Sequence, residues 1–168
     1  MINRICLILA SLLLLFPLLT SNGYSQESNL PTNELVKYIQ INKDKNGKLY
    51  NVTTVQAEIP RQIQEWIPKT KDEKLLNRKE INELATKYHL FERTKMNPQL
   101  RYKEGDISYW LEQHISSWEL SLEFLSRRLV LLVADQHNAT IPTQGDLSHW
   151  SQQIYTSLYN NAQIKWNK

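Results

Sequence analysis

The chain has 168 residues, of which 20 are basic and 17 acidic, and it carries four glycines and one cysteine. The charges are interleaved and no run of like charges reaches five, which excludes the electrostatic footprint that nucleic acid demands. So few glycines exclude phosphate-cradling loops, and no G-x-S-x-G elbow is present to expose a serine nucleophile.

Residues 1–25 have the three-part pattern of an export signal. Arg4 supplies the positive charge, residues 5–19 are apolar apart from Ser11 and Pro17, and residues 21–25 are short and polar. Gly23 and Ser25 stand where a signal peptidase requires small side chains, so cleavage is expected before Gln26. The apolar run is shorter than the roughly 20 residues a spanning helix needs. Removing 25 of 168 residues leaves 143, with 19 basic and 17 acidic groups and a net charge of +2. Cys6 leaves with the signal, so the mature chain is expected to have no disulfide, thiol nucleophile or thiolate metal ligand. An exported domain of this size without disulfides points to a bacterial envelope. The sequons at Asn51 and Asn138 matter only in a eukaryotic secretory route.

Residues 26–33 read as a flexible polar leader, followed by a single domain over 34–168. Residues 36–42 and 48–59 are rich in Val, Ile, Tyr and Thr and flank Asn46-Gly47, which predicts a β-hairpin with a two-residue type I′ turn. That register sets Ile41 opposite Val52, Ile39 opposite Thr54 and Lys43 beside Tyr50, with Tyr38–Val55 and Val36–Ala57 on the other face. A lone hairpin is marginal in water, so the helices that follow must cover it. Pro60 predicts a short helix ending at Pro68.

Asn77 as N-cap, Glu80 three residues on and Leu76 stapling onto Ile81 predict the next helix, with Ile81, Leu84, Ala85 and Tyr88 as its buried stripe. Thr70 and Glu73 form a second possible capping box upstream. Residues 95–105 read as a loop. Ile107, Leu111, His114, Trp118, Leu122, Leu125, Leu129 and Leu132 recur at spacings of three and four, predicting one long helix over 106–137. Glu123 and Arg127 are expected as a solvent-side pair on it. Pro142 turns the chain, and Asp146 caps a last helix to about residue 162 with Leu147, Trp150, Ile154 and Leu158 as its core stripe. The expected architecture is therefore α+β and helix-dominated, an N-terminal hairpin packed on a bundle of three to four helices, the last two antiparallel.

Three groups of residues are candidates for chemistry. Asp135, His137, Asp146 and His149 lie within 15 residues around the last interhelical turn and are ordinary zinc or iron ligands. The competing expectation is that Asp146 is a cap, His137 a charge near a helix C-terminus and His149 a surface residue. His114 stands four residues from Trp110 and from Trp118, either as a base or, more commonly, as a satisfied core histidine. On the last helix Tyr155, Tyr159, Ala162 and Trp166 form an aromatic stripe beside the core one. It either covers the hairpin or, if the lid comes from elsewhere, presents an interaction surface.

With no cofactor loop or nucleophile, the expected function is an exported, non-enzymatic protein that docks on another envelope or secreted protein through Tyr155, Tyr159 and Trp166. An adaptor, chaperone, inhibitor or immunity factor acts in this way. The alternatives are a metal-dependent or acid-base enzyme built on Asp135, His137, Asp146 and His149, and a carrier holding an apolar ligand among Trp110, Trp118 and Phe124. No cofactor, nucleic-acid partner or stable membrane span after cleavage is expected.

Overall fold

The computed structural model describes residues 32–54, 59 and 61–168. The expected export signal and most of the expected leader, together with Val55, Ala57 and Pro60, lie outside the described residues. Within them the chain is an antiparallel two-stranded hairpin with six α-helices packed on it, the helix-dominated α+β arrangement that the periodicities predict.

The chain enters as a helix, α1 (Thr32–Tyr38), where a strand was expected. Leu35, Tyr38 and Ile39 explain the difference. Their i, i+3, i+4 spacing sends all three into the core, which an extended chain would split between two faces. Strands β1 (Ile39–Lys43) and β2 (Leu49–Thr54) follow, with Ile39 opposite Thr54 and Ile41 opposite Val52 as expected. The register slips between Asn42 and Lys43, so that Lys43 faces Leu49 and not Tyr50.

Asp44 causes the slip. Its Oδ1 accepts from the Asn46 and Lys48 N–H groups at 2.8 and 2.9 Å, and its carbonyl accepts from Gly47 N–H at 3.0 Å. This wider loop needs a positive φ only at Gly47 (+77°), not at Asn46 as well, so the turn is not type I′. Its tip is tied down: Gly47 O accepts from Thr140 N–H at 2.9 Å, and Thr140 O from Leu49 N–H at 2.8 Å.

A single turn, α2 (Arg61–Gln64), buries Ile63, and Ile67 beyond it is also buried. Helix α3 (Arg78–Lys87) starts at the anticipated capping box: Asn77 Oδ1 accepts from Glu80 N–H at 3.0 Å and Glu80 Oε2 from Asn77 N–H at 2.9 Å. Residues 70–74 are not helical, so Thr70 and Glu73 start nothing. The expected loop at 95–105 contains a 3₁₀ turn at Pro98–Leu100 and the first residues of the next helix.

The single long helix is two: α4 (Glu104–Glu112) and α5 (Ser117–Gln136). His114, at φ +48°, ends the first. Ser116 restarts the second, its N–H donating to Glu119 Oε2 at 3.1 Å. Apolar periodicity survives such a break because both pieces face the same core, so spacing alone does not reveal it. His89 (φ +57°) and Asn138 (φ +51°) end α3 and α5 in the same left-handed way, and Leu90 N–H and Ala139 N–H reach back to Ala85 O and Ala134 O. In a chain with four glycines, His and Asn take the position where glycine is usual.

Helix α5 is the centre of the molecule, with fourteen of its twenty residues buried. Helix α6 (Gln144–Trp166) packs along it as the expected helical hairpin, burying Leu147, Trp150, Ile154 and Leu158. Its cap is Thr143 and not Asp146: Thr143 Oγ1 accepts from Asp146 N–H at 3.1 Å. Helix α1 and β1 pack on α5, β2 packs on α6, and α3 packs on α4 and α5. Buried Asn97 clamps the α5–α6 turn, donating to Ala139 O at 3.0 Å and accepting from Ile141 N–H at 2.7 Å. Among the described residues no helix is long and apolar enough to cross a membrane.

Candidate functional site

Helix α6 divides its labour by face. Ser157 meets the hairpin, its Oγ donating to Thr54 Oγ1 at 2.9 Å. The aromatic stripe is on another flank. Tyr155 and Tyr159 lie parallel, with ring centroids 6.3 Å apart and planes 4° apart. Tyr159 stacks on Trp118 of α5 at 5.6 Å, and Trp166 meets the same indole edge-on at 5.2 Å. Trp166 Nε1 donates to Pro68 O at 2.8 Å, which fixes the end of α6 against the chain after α2.

The three aromatic residues of the stripe are only half-buried, Tyr159 and Trp166 resting on Trp118 and Tyr155 stacked on Tyr159, while Ala162 between them is buried. Trp118 itself is buried, and its Nε1 has no hydrogen-bond partner among the described residues. Each aromatic pair adds roughly 0.5–1.5 kcal/mol beyond area burial. The stripe is therefore a rigid surface and not a loose fringe.

Lysines rim one end of it. Lys71 Nζ lies 5.0 Å from the Trp118 ring centroid, and Lys165 Nζ donates to Gln64 O and Ile67 O at 3.0 and 3.3 Å. Burial, and then repulsion from Lys69, push the Lys165 ammonium below its ordinary range. A concavity of about 360 Å³ opens here between Lys69, Lys71, Gln163 and Trp166. At the other end Tyr155 is pushed up to about 12, first by burial and then by the Glu119 and Glu123 carboxylates and Tyr159. The surface thus runs from a cationic end at Trp166 to a phenol that stays protonated at Tyr155.

The Asp and His residues around the α5–α6 turn are separately engaged. Asp135 Oδ1 accepts from Met96 N–H at 2.6 Å, and the His137 carbonyl accepts from Lys43 Nζ at 2.6 Å. Asp146 Oδ2 accepts the Thr143 hydroxyl at 2.6 Å, and His149 Nε2 lies 3.3 Å from Gln153 Nε2. Among the described residues no group of three or more His, Cys, Asp or Glu is placed to hold a metal ion.

His114 is exposed on the linker between α4 and α5, which overturns the expectation of a core histidine between two indoles. Trp110 instead packs edge-to-face on Phe124 and Tyr109, and Trp118 packs on the stripe. The Glu123–Arg127 pair forms at 3.2 Å but not on the solvent side. Its side chains are only 12% and 15% exposed, because Arg127 is held by Ser148 of α6 at 3.1 Å and lies over Trp110. Burial pushes the Glu123 carboxyl up, and Arg127 opposes that shift.

Sequence reasoning missed a partly buried polar network centred on Arg128. Arg128, 5% exposed, donates to His89 O at 3.3 Å and lies 3.5 Å from Glu92 Oε2, while Glu92 Oε1 meets His89 Nδ1 at 2.6 Å. The signal was present: Arg128 falls four residues after Phe124 and three after Leu125, on the inward face of an apolar helix. It binds the C-terminal end of α3 to α5.

No protein-family model, curated protein or solved structure matches the chain. The functional reading therefore stands on the geometry of its own side chains.

Proposed function

We propose that this is an exported, non-enzymatic binding protein that docks another envelope or secreted protein on the aromatic stripe of α6. One observation carries the reading: Tyr159 and Trp166 pack on buried Trp118 and Tyr155 stacks on Tyr159, yet all three stay half-exposed. Rigid, half-wet aromatic side chains bind at little entropic cost, and such residues dominate binding hot spots.

The lysine rim defines the partner's chemistry. Lys69, Lys71 and Lys165 crowd one end of the stripe, so the docked segment carries acidic side chains next to an apolar or aromatic one. Export follows from the reading of residues 1–25 and sets the compartment in which the partner is met.

The test uses the full chain expressed in its host compartment with a photocrosslinking amino acid at Gln152 or Gln163, exposed positions flanking the stripe, or at Lys79 on α3 as control. The expected result is one discrete protein adduct common to Gln152 and Gln163, absent from Lys79 and lost when Tyr155→Ser and Tyr159→Ser are added. No adduct from the stripe positions, or the same adduct from Lys79, overturns the proposal.

A further inference from the structure

A second site lies away from the stripe and shares no residue with it. A cleft of about 200 Å³ opens between the segment before α4, the outer side of α5 and the first turn of α6. Its inner wall is apolar, formed by Leu90, Leu131, Leu147 and Trp110, all buried. Charged Arg101, Arg127 and Asp106 line it as well, together with exposed Tyr109. An apolar cavity of about 150 Å³ takes a benzene molecule, so this cleft takes an apolar side chain of that size and leaves the charged ends of its owner to the charged residues.

Tyr102 gives the cleft its polarity. The residue is 8% exposed, its N–H donates to Leu90 O at 2.7 Å, and its hydroxyl is buried with no hydrogen-bond partner among the described residues. A buried hydroxyl without a partner is costly to keep, and Tyr102 is among the residues that line the cleft. Burial and the Asp106 carboxylate raise the phenol's pKa, so it acts as a donor at neutral pH.

Arg127 faces the same space with donors to spare. Glu123 takes its Nε at 3.2 Å and Ser148 one Nη2 proton at 3.1 Å, two of the five N–H groups a guanidinium carries. Asp106 accepts from Lys103 N–H through Oδ2 at 2.6 Å, which fixes its carboxylate in place. Two guanidinium groups and a phenolic donor beside one carboxylate match a molecule bearing both an anion and a cation.

We propose that this cleft binds a free α-amino acid with an apolar side chain. The side chain enters between Leu131, Leu147 and Trp110. The carboxylate accepts from Tyr102 and the arginines, and the ammonium group pairs with Asp106. The bound molecule supplies the acceptor that the Tyr102 hydroxyl otherwise lacks.

The test is thermal unfolding of the purified full chain against L-phenylalanine and L-leucine, with phenethylamine and 3-phenylpropanoic acid as probes lacking the carboxylate or the amine. Tyr102→Phe and Arg101→Gln serve as variants: the first keeps the ring that packs on Phe91 and Phe124 and removes only the unpartnered hydroxyl, and Arg101 is exposed. The amino acids are expected to raise the melting temperature in a concentration-dependent way, as any ligand of the native state does, and each stripped probe to bind at least about tenfold more weakly. Tyr102→Phe is expected to raise the melting temperature of the unliganded protein while weakening L-phenylalanine about tenfold, a pairing that a structural role alone does not produce. Absence of any shift with either amino acid, equal binding of a stripped probe, or unchanged affinity in Tyr102→Phe overturns the proposal.

Discussion

Gly47→Val tests how the hairpin is anchored to the helices. Gly47 holds φ +77°, and a Cβ built there sits 3.3 Å from the Asn138 carbonyl oxygen. Asn138 is itself left-handed and fixed by Asp135 O, so that carbonyl has little room to retreat. A left-handed backbone costs an L residue roughly 1–2 kcal/mol. The smaller freedom of the unfolded alanine chain returns about 0.4–1 kcal/mol.

Gly47→Ala should therefore cost about 1 kcal/mol once the close contact is added, and Gly47→Val about 2 kcal/mol, because a β-branched residue tolerates positive φ least. Gly47→Asn should be nearly neutral. At about 4 °C per kcal/mol for a domain of this size, calorimetry should read drops of about 4 °C and about 8 °C for Ala and Val. A rise in melting temperature for Gly47→Ala, the response of a glycine at ordinary φ, would refute both the turn geometry and its docking on the α5–α6 loop.

Four further outcomes follow from the packing and the caps. Leu122→Ala and Leu125→Ala, at fully buried positions of α5, should each cost about 2–5 kcal/mol in denaturant unfolding; an unchanged midpoint would remove α5 from the core. His114→Gly should leave stability unchanged or raise it by up to about 1 kcal/mol by relieving a positive φ, whereas a continuous helix through this position predicts a loss of about that size. Asn77→Ala should cost about 1 kcal/mol by removing the α3 cap. Glu80 is held below the ordinary glutamate range, first by the Asn77 N–H and then by Lys74, so its contribution is complete above that range and lost as pH falls through the folded-state value. In acid titrations of unfolding, Glu80→Gln should therefore flatten that part of the pH profile, and an unaltered profile would contradict the linkage.

What the sequence made legible follows from what its signals measure. The Asn77 box, the Ile39–Thr54 and Ile41–Val52 pairs and the α6 core stripe are local patterns, each contained within one helix or one hairpin. The break at His114 was not legible, because a histidine substitutes for the glycine that normally marks a helix end and the apolar spacing continues across it. Glu123 and Arg127 read as a surface pair because i, i+4 spacing says nothing of the neighbour that covers them, and Ser148 and Trp110 come from other elements. The aromatic stripe was visible as a pattern. Its support on Trp118 was not, since that contact joins residues 41 apart in sequence, Trp118 and Tyr159. The cleft around Tyr102 is assembled from α4, α5 and α6 and leaves no signature in any one segment.

Native mass spectrometry of the full chain, purified gently from its own host compartment, tests the docking proposal most directly. The wild type and a Tyr155→Ser/Tyr159→Ser variant with matched circular dichroism are compared. A stoichiometric protein adduct on the wild type that the double variant loses is the expected result. A bare wild-type chain, or an adduct that the double variant retains, would contradict it.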